Sequence, residues 1–111
     1  MKDDFPKRGS IYWVNLEPTV GAETKKTRPC LIISCDTGNK HSPLVMVAPI
    51  TSKVPKIYPF EAALHVKDKA CKVMLNQARA LDKSRLGKKM GEAHFEEMQS
   101  VDKAIAIVFG L

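Results

Sequence analysis

Two short stretches carry the side chains best suited to chemistry on a phosphate. Arg28 precedes Pro29 at the entrance to an apolar run, just after Lys25 and Lys26. Thr51 follows Pro49 and Ile50 at the exit of the next such run, with Ser52 and Lys53 behind it. An arginine fork can bind a phosphate bidentately, and a hydroxyl beside it can donate to a non-bridging oxygen. On residue type alone they are more simply a surface arginine and a turn threonine. A third stretch, Val73 to Arg79, places Gln77 and Arg79 on one face of an expected strand. Amides and guanidinium groups on strands can read base edges, and equally they can be ordinary polar residues at a sheet rim.

Other chemistries have less support. There is no Gly-rich phosphate loop, no HExxH and no GxSxG. The 12 carboxylates are scattered without the cluster that holds magnesium, which argues against a two-metal nuclease. No metal ligand set and no cofactor is expected. His41, His65 and His94 fall beside a turn, at a strand end and near the start of the last helix, where surface or structural roles are the default. Their spacing is also compatible with a histidine acid–base pair, which nothing else supports. Cys30, Cys35 and Cys71 are odd in number and lack CxxC spacing, so reduced thiols are expected rather than a disulfide framework or zinc site.

The elements that must position these residues can be read from the hydrophobic pattern. Residues 1–8 read as a short polar arm. Ile11 to Leu16 is aromatic and β-branched, a good strand. The stretch from Glu17 to Thr27 is an exposed loop, basic at its end. Pro29 to Ser34 and Leu44 to Ala48 are continuous apolar runs of strand length, the pattern of strands covered on both faces, with a turn at 36–40 between them. A loop from Thr51 to Pro59 leads to two further expected strands, Phe60 to Val66 and Lys72 to Ala80. The tail changes period: Met98, Val101, Ile105 and Val108 mark one face of an amphipathic helix, stopped by Gly110, and a short helical turn is expected around Ser84 to Leu86. The fold class is mainly β with helices, a small barrel-like sheet with helical cover.

Size and charge narrow the function further. With 111 residues, 44% hydrophobic and 27% charged, the chain reads as a single globular domain, residues 1–111. A domain this small favours a shallow surface site or an interface over a deep cofactor pocket. The net charge of +6 fits a polyanionic partner. The first residues lack the apolar core of a secretory signal, and no stretch is apolar enough to span a bilayer, so a soluble cytoplasmic protein without membrane association is expected.

Successive blocks of the sequence resemble the MazF/PemK toxins. They are Arg8 to Leu16, Thr27-Arg28-Pro29, Ala48 to Ser52, Asn76 to Gly87, and the ending with Glu97-Met98, Val101-Asp102 and Gly110-Leu111. The resemblance runs from about Arg8 to the C-terminus. It implies an SH3-like barrel with a C-terminal helix, a homodimer, and metal-free cleavage of single-stranded RNA to 2′,3′-cyclic phosphate and 5′-hydroxyl ends. It implies that Arg28 and Thr51 form the catalytic pair, that Glu23, Gln77 and Arg79 lie near RNA, and that Arg8 lies at the groove edge. Lys25, Lys26, Ser52 and Lys53 complete the expected RNA-binding set. The partner it implies is an antitoxin whose acidic, flexible tail occupies the same groove.

The chain departs from the family pattern in places. Thr24-Lys25-Lys26-Thr27 stands where a glycine-rich loop is usual, Ala22 where Ser often precedes Glu23, and Asn76 where an acid often precedes Gln77. His94 replaces a Ser or Thr cap, which should weaken that helix start. These differences bear on the RNA sequence recognised. Two other readings share the fold: a gyrase poison like the CcdB toxins, and a catalytically silent RNA-binding or antitoxin-sequestering module. The gyrase poisons act through a Trp-Gly-Ile-like ending, whereas this chain ends Phe109-Gly110-Leu111 and has its only tryptophan at Trp13.

Overall fold

In the computed structural model, which describes residues 4–111, two apolar runs form the central strands. They are β2 (Thr27–Ile32) and β3 (Leu44–Thr51), paired antiparallel with Cys30 opposite Pro49 and Ile32 opposite Val47. Their residues alternate between two cores. Leu31, Ala48 and Ile50 face one, and Cys30, Ile32, Val45 and Val47 face the other. Burial on both faces explains the lack of polar alternation in the sequence.

The other strands are β1 (Ser10–Asn15), β4 (Glu61–Val66), β5 (Lys69–Met74), β6 (Arg79–Asp82) and β7 (Leu86–Glu92). The sheet runs β4-β5-β3-β2-β1-β7, with β6 pairing the first half of β3. One edge of β3 is thus shared: Leu44 to Val47 bond β6, and Ile50 and Thr51 bond β5. The segment β6–β7 then crosses from β3 to β1 and curls the sheet around the smaller core. The expected single strand from Lys72 to Ala80 is therefore broken. A 3₁₀ turn at Leu75–Gln77, with Leu75 buried, lets the chain leave one part of β3 and rejoin it at another.

The structure goes beyond the expectations at three further points. The turn at 36–40 is a short helix, α1 (Asp36–His41), where the Cys35 Sγ accepts the Gly38 N–H and the buried Asn39 bonds Ser34. These local capping bonds offset the weak helix propensity of Asp-Thr-Gly-Asn. Strand β7 has no counterpart in the sequence reading, because its two lysines and two glycines hide an edge strand. Glycine suits position 87, since a Cβ there would lie 3.2 Å from the Trp13 carbonyl oxygen, a tight contact. The expected arm at 1–8 lies partly outside the described residues, and its last residue is tied down, with Arg8 Nε donating to Ile33 O at 2.8 Å.

The tail helix forms as expected, as α2 (Phe95–Phe109), with Val101 buried and Met98, Ile105 and Val108 packed on the larger core. Gly110 adopts a left-handed conformation (φ 70°), so that the Leu111 N–H reaches the Ala106 carbonyl at 2.8 Å. The His94 start keeps half of a capping box, its N–H donating to Glu97 Oε1 at 2.8 Å. The helical turn expected near Ser84 is a 3₁₀ turn at Lys83–Arg85. Among the described residues no helix is long and apolar enough to cross a membrane.

Candidate active site

The face of β2 and β3 that lines the smaller core does not end where the core ends. Continuing their register by two residues from Cys30 and Pro49 sets Arg28 across from Thr51. Residues two apart on a strand share a face, so Arg28 follows Cys30, and Thr51 follows Val47 and Pro49, out of the apolar interior to its open mouth. Both residues line one hollow of about 340 Å³, together with Lys25, Lys26, Glu23 and Met74. A second hollow of about 460 Å³ adjoins it and shares Glu23 and Thr24. Its walls include Leu16, Pro18 and Pro49, with the polar groups of Gln77 and Arg79. Together they make a groove that is apolar along its base and basic around Arg28.

Each side chain is held by its neighbours. Arg28 Nε donates to the Lys25 carbonyl at 3.1 Å, which orients the guanidinium plane, and among the described residues no carboxylate forms an ion pair with it. Thr51 Oγ1 accepts the Lys53 N–H at 3.2 Å. A hydroxyl whose oxygen is engaged in this way keeps its proton to donate to a ligand. Burial pushes the Cys30 thiol up to about 12, and the charges of Arg79 and Arg28 both act against that rise. Two cations thus act on one buried sulfur behind the groove.

The loop over the groove, residues 17–26, is built by the expected binding residues themselves. Gln77 Oε1 accepts the Thr24 N–H at 2.7 Å, Glu23 Oε1 accepts the Val20 N–H at 2.7 Å, and Arg79 donates to Leu16 O at 3.0 Å. Lys26 takes a positive φ of 67°, its N–H bonded to Glu17 Oε2 at 2.8 Å. Gln77 and Arg79 do not share a strand face as the sequence suggested, because the 3₁₀ turn intervenes, yet both reach the same hollow.

Not every expected residue meets there. Ser52 lines a different hollow behind Arg28, with Trp13, Pro29 and Ile50, and Lys53 is exposed beyond Thr51. Arg8 lies past the other end of β2 and pairs with Asp102 on α2 at 2.8 Å. None of the histidines lines the groove. His41 is exposed on α1, and the backbone N–H groups of His65 and His94 meet at the Glu97 carboxylate. Among the described residues no three His, Cys, Asp or Glu side chains are grouped to hold a metal ion.

Two residues were missed by the sequence reading. Arg85 donates to Asn15 O at 3.1 Å and to Glu17 O at 2.7 Å, fixing the base of the groove loop. Lys72 is a buried lysine on β5, opposite Thr51. A charged residue inside the apolar run Cys71 to Leu75 was the available signal for the second.

Known proteins resemble this chain over nearly its whole length. Residues 7–109 match the family described as PemK-like, MazF-like toxins of type II toxin–antitoxin systems. The chain is 40% identical over 110 residues to the endoribonuclease MazF of Staphylococcus saprophyticus, covering 95% of this chain and 92% of that one. Its fold is similar to the crystal structure of MazF from Deinococcus radiodurans, with a TM-score of 0.82, 29% identity, and coverage of 96% and 98% of the two chains. It is also similar to a mycobacterial endoribonuclease in complex with its cognate antitoxin, with a TM-score of 0.80, 26% identity, and coverage of 96% of each chain.

Proposed function

The chain belongs to the PemK-like, MazF-like toxin family, and from that premise we propose that it is a single-domain, cytoplasmic, sequence-specific endoribonuclease that cleaves single-stranded RNA without a metal ion. The observation that carries this reading is the placement of Arg28 across from Thr51 at the mouth of a basic groove.

The chemistry needs little from the protein besides geometry and charge. The 2′-oxygen of the substrate forms a bond to phosphorus as the bond to the 5′-oxygen breaks, leaving a 2′,3′-cyclic phosphate and a 5′-hydroxyl. The 2′-proton passes to water, and the departing 5′-oxygen takes one from water, so the step is neutral overall. Arg28 clamps the phosphate, and Thr51 donates its hydroxyl proton to an oxygen on which charge grows. A guanidinium holds its proton too firmly to exchange it at neutral pH, which suits Arg28 to electrostatic stabilisation rather than to proton transfer. DNA lacks the nucleophile and can bind without being cut. Loop residues Glu23, Lys25 and Lys26, with Gln77 and Arg79, face the bases and the flanking phosphates.

The same basic groove suits the acidic, flexible tail of an antitoxin, and a homodimer enlarges a site this shallow. The decisive experiment is incubation of a long single-stranded RNA with folded, antitoxin-free protein in excess EDTA, beside Arg28→Ala. Discrete fragments from wild type and intact RNA with the variant are expected. Intact RNA in both lanes would sink the nuclease reading and favour a toxin that acts by binding.

A further inference from the structure

We propose that Lys72 is a positioning residue for the Thr51 hydroxyl, acting through the loop that leaves β3, an inference that rests on the nuclease reading above. Lys72 is 8% exposed, and its ammonium ion-pairs with Glu61 Oε1 at 2.9 Å. Its third neighbour is the Tyr58 ring, 5.7 Å away, and it also donates to the Lys56 carbonyl at 2.8 Å. Glu61 Oε1 accepts the Tyr58 N–H as well, at 3.0 Å. These contacts come from Lys56 and Tyr58, in the far half of the loop between β3 and β4, and from Glu61, the first residue of β4. The near half is bound to Thr51 itself, whose Oγ1 accepts the Lys53 N–H.

Lys72 and Thr51 are directly opposed in the antiparallel pairing of β3 and β5. Opposed residues share a face with Cβ atoms about 4.5–5.5 Å apart. One lysine therefore rises from beside Thr51 and closes the loop that begins at Thr51. Taking a lysine and a glutamate out of water costs about as much as their attraction returns, so an apolar pair would serve stability as well. What the ion pair adds is direction: fixed contacts to one carbonyl and one carboxylate, which hold the loop in one path. The Lys53 N–H then stays on the Thr51 oxygen, and the hydroxyl proton stays aimed into the groove.

The test uses the full chain with Lys72→Met/Glu61→Leu, which removes both charges and leaves neither buried alone, and with Lys72→Gln/Glu61→Gln, which also removes both charges but keeps a polar group at each position. Circular dichroism and thermal melting establish folding. Amide exchange is followed by NMR at Lys53 and Tyr58, and kcat and KM are measured on a short RNA substrate. The expected result is folded protein with faster exchange at both amides, kcat lower by about tenfold, and KM changed by less than about threefold. Lys72→Gln/Glu61→Gln should shift amide exchange and kcat in the same direction by less, and it decides the matter if the apolar pair does not fold. A folded variant with wild-type kcat or unchanged exchange overturns the positioning role while leaving the nuclease reading intact. Wild-type protein that leaves the RNA uncut overturns both.

Discussion

Gln77 Oε1 accepts the backbone N–H of Thr24 at 2.7 Å, joining the 3₁₀ turn after β5 to the loop across the groove. The side chain expected to touch RNA is thus already shaping the wall of its own site. Replacing it with alanine leaves the Thr24 N–H without a protein acceptor, at a cost of about 0.5–1.5 kcal/mol for a typical bond of this kind. Gln77→Ala is expected to speed amide exchange at Thr24 and lower kcat/KM, with the core melting near the wild-type temperature. Unchanged exchange at Thr24 would show that the loop is held by its other bonds.

Arg28 and Thr51 make separable predictions. Removing a preorganised donor to a developing oxyanion costs about 10²–10³ in kcat, so Thr51→Ala and Thr51→Val are expected to fall by about that factor. Thr51→Ser retains the hydroxyl and should keep most of the activity. Arg28→Lys keeps the charge but loses the fork, and is expected to rescue Arg28→Ala only in part. Single-turnover cleavage of a short RNA measures all of these, and equal activity of Thr51→Val and Thr51→Ser would remove the hydroxyl from the mechanism.

Lys25 and Lys26 are exposed on the groove loop, and their contribution should appear in the salt dependence of binding. Each phosphate contact to a single strand adds about 0.7 to the slope of log K against log salt. Lys25→Ala/Lys26→Ala is expected to flatten that slope by about 1.4, measured with an uncleavable RNA carrying a 2′-deoxy substitution at the scissile position. A slope equal to wild type would place both lysines off the RNA path.

Stability should respond to acid through Glu97. Burial raises this carboxyl, but hydrogen bonds from the His94 and His65 backbone N–H groups and the His65 ring more than offset it, leaving it below the ordinary 4.5. As pH falls, the unfolded chain takes up the proton before the folded one does. The stabilisation is therefore complete above about pH 4.5 and is lost as pH falls through the lowered value. Glu97→Gln should melt lower than wild type at pH 7, and the gap should close toward pH 3. A gap that stays constant with pH would assign the effect to packing at the start of α2.

Arg28 and Thr51 were legible because both stand at strand ends marked by proline, within blocks that resemble a known family. The central strands and α2 were legible from the period of their apolar residues. What stayed hidden depends on contacts distant in sequence. The break at Leu75–Gln77 exists because β3 shares an edge between two partners. Strand β7 has too few apolar residues to show a pattern, and the placement of Arg8 is decided by Asp102 on a helix 94 residues away.

The continuity of one strand face from the apolar interior to the groove divides the molecule by how freely it can change. Arg28 and Thr51 are set by a register that core residues such as Cys30 and Val47 enforce, and a slip of one residue would present Pro29 and Ile50 instead. The loop at 17–26 is fixed only by a few hydrogen bonds at its base and flank. Loop residues can thus change with little effect on the register that sets Arg28 against Thr51, whereas a change in the core beneath that pair moves both at once.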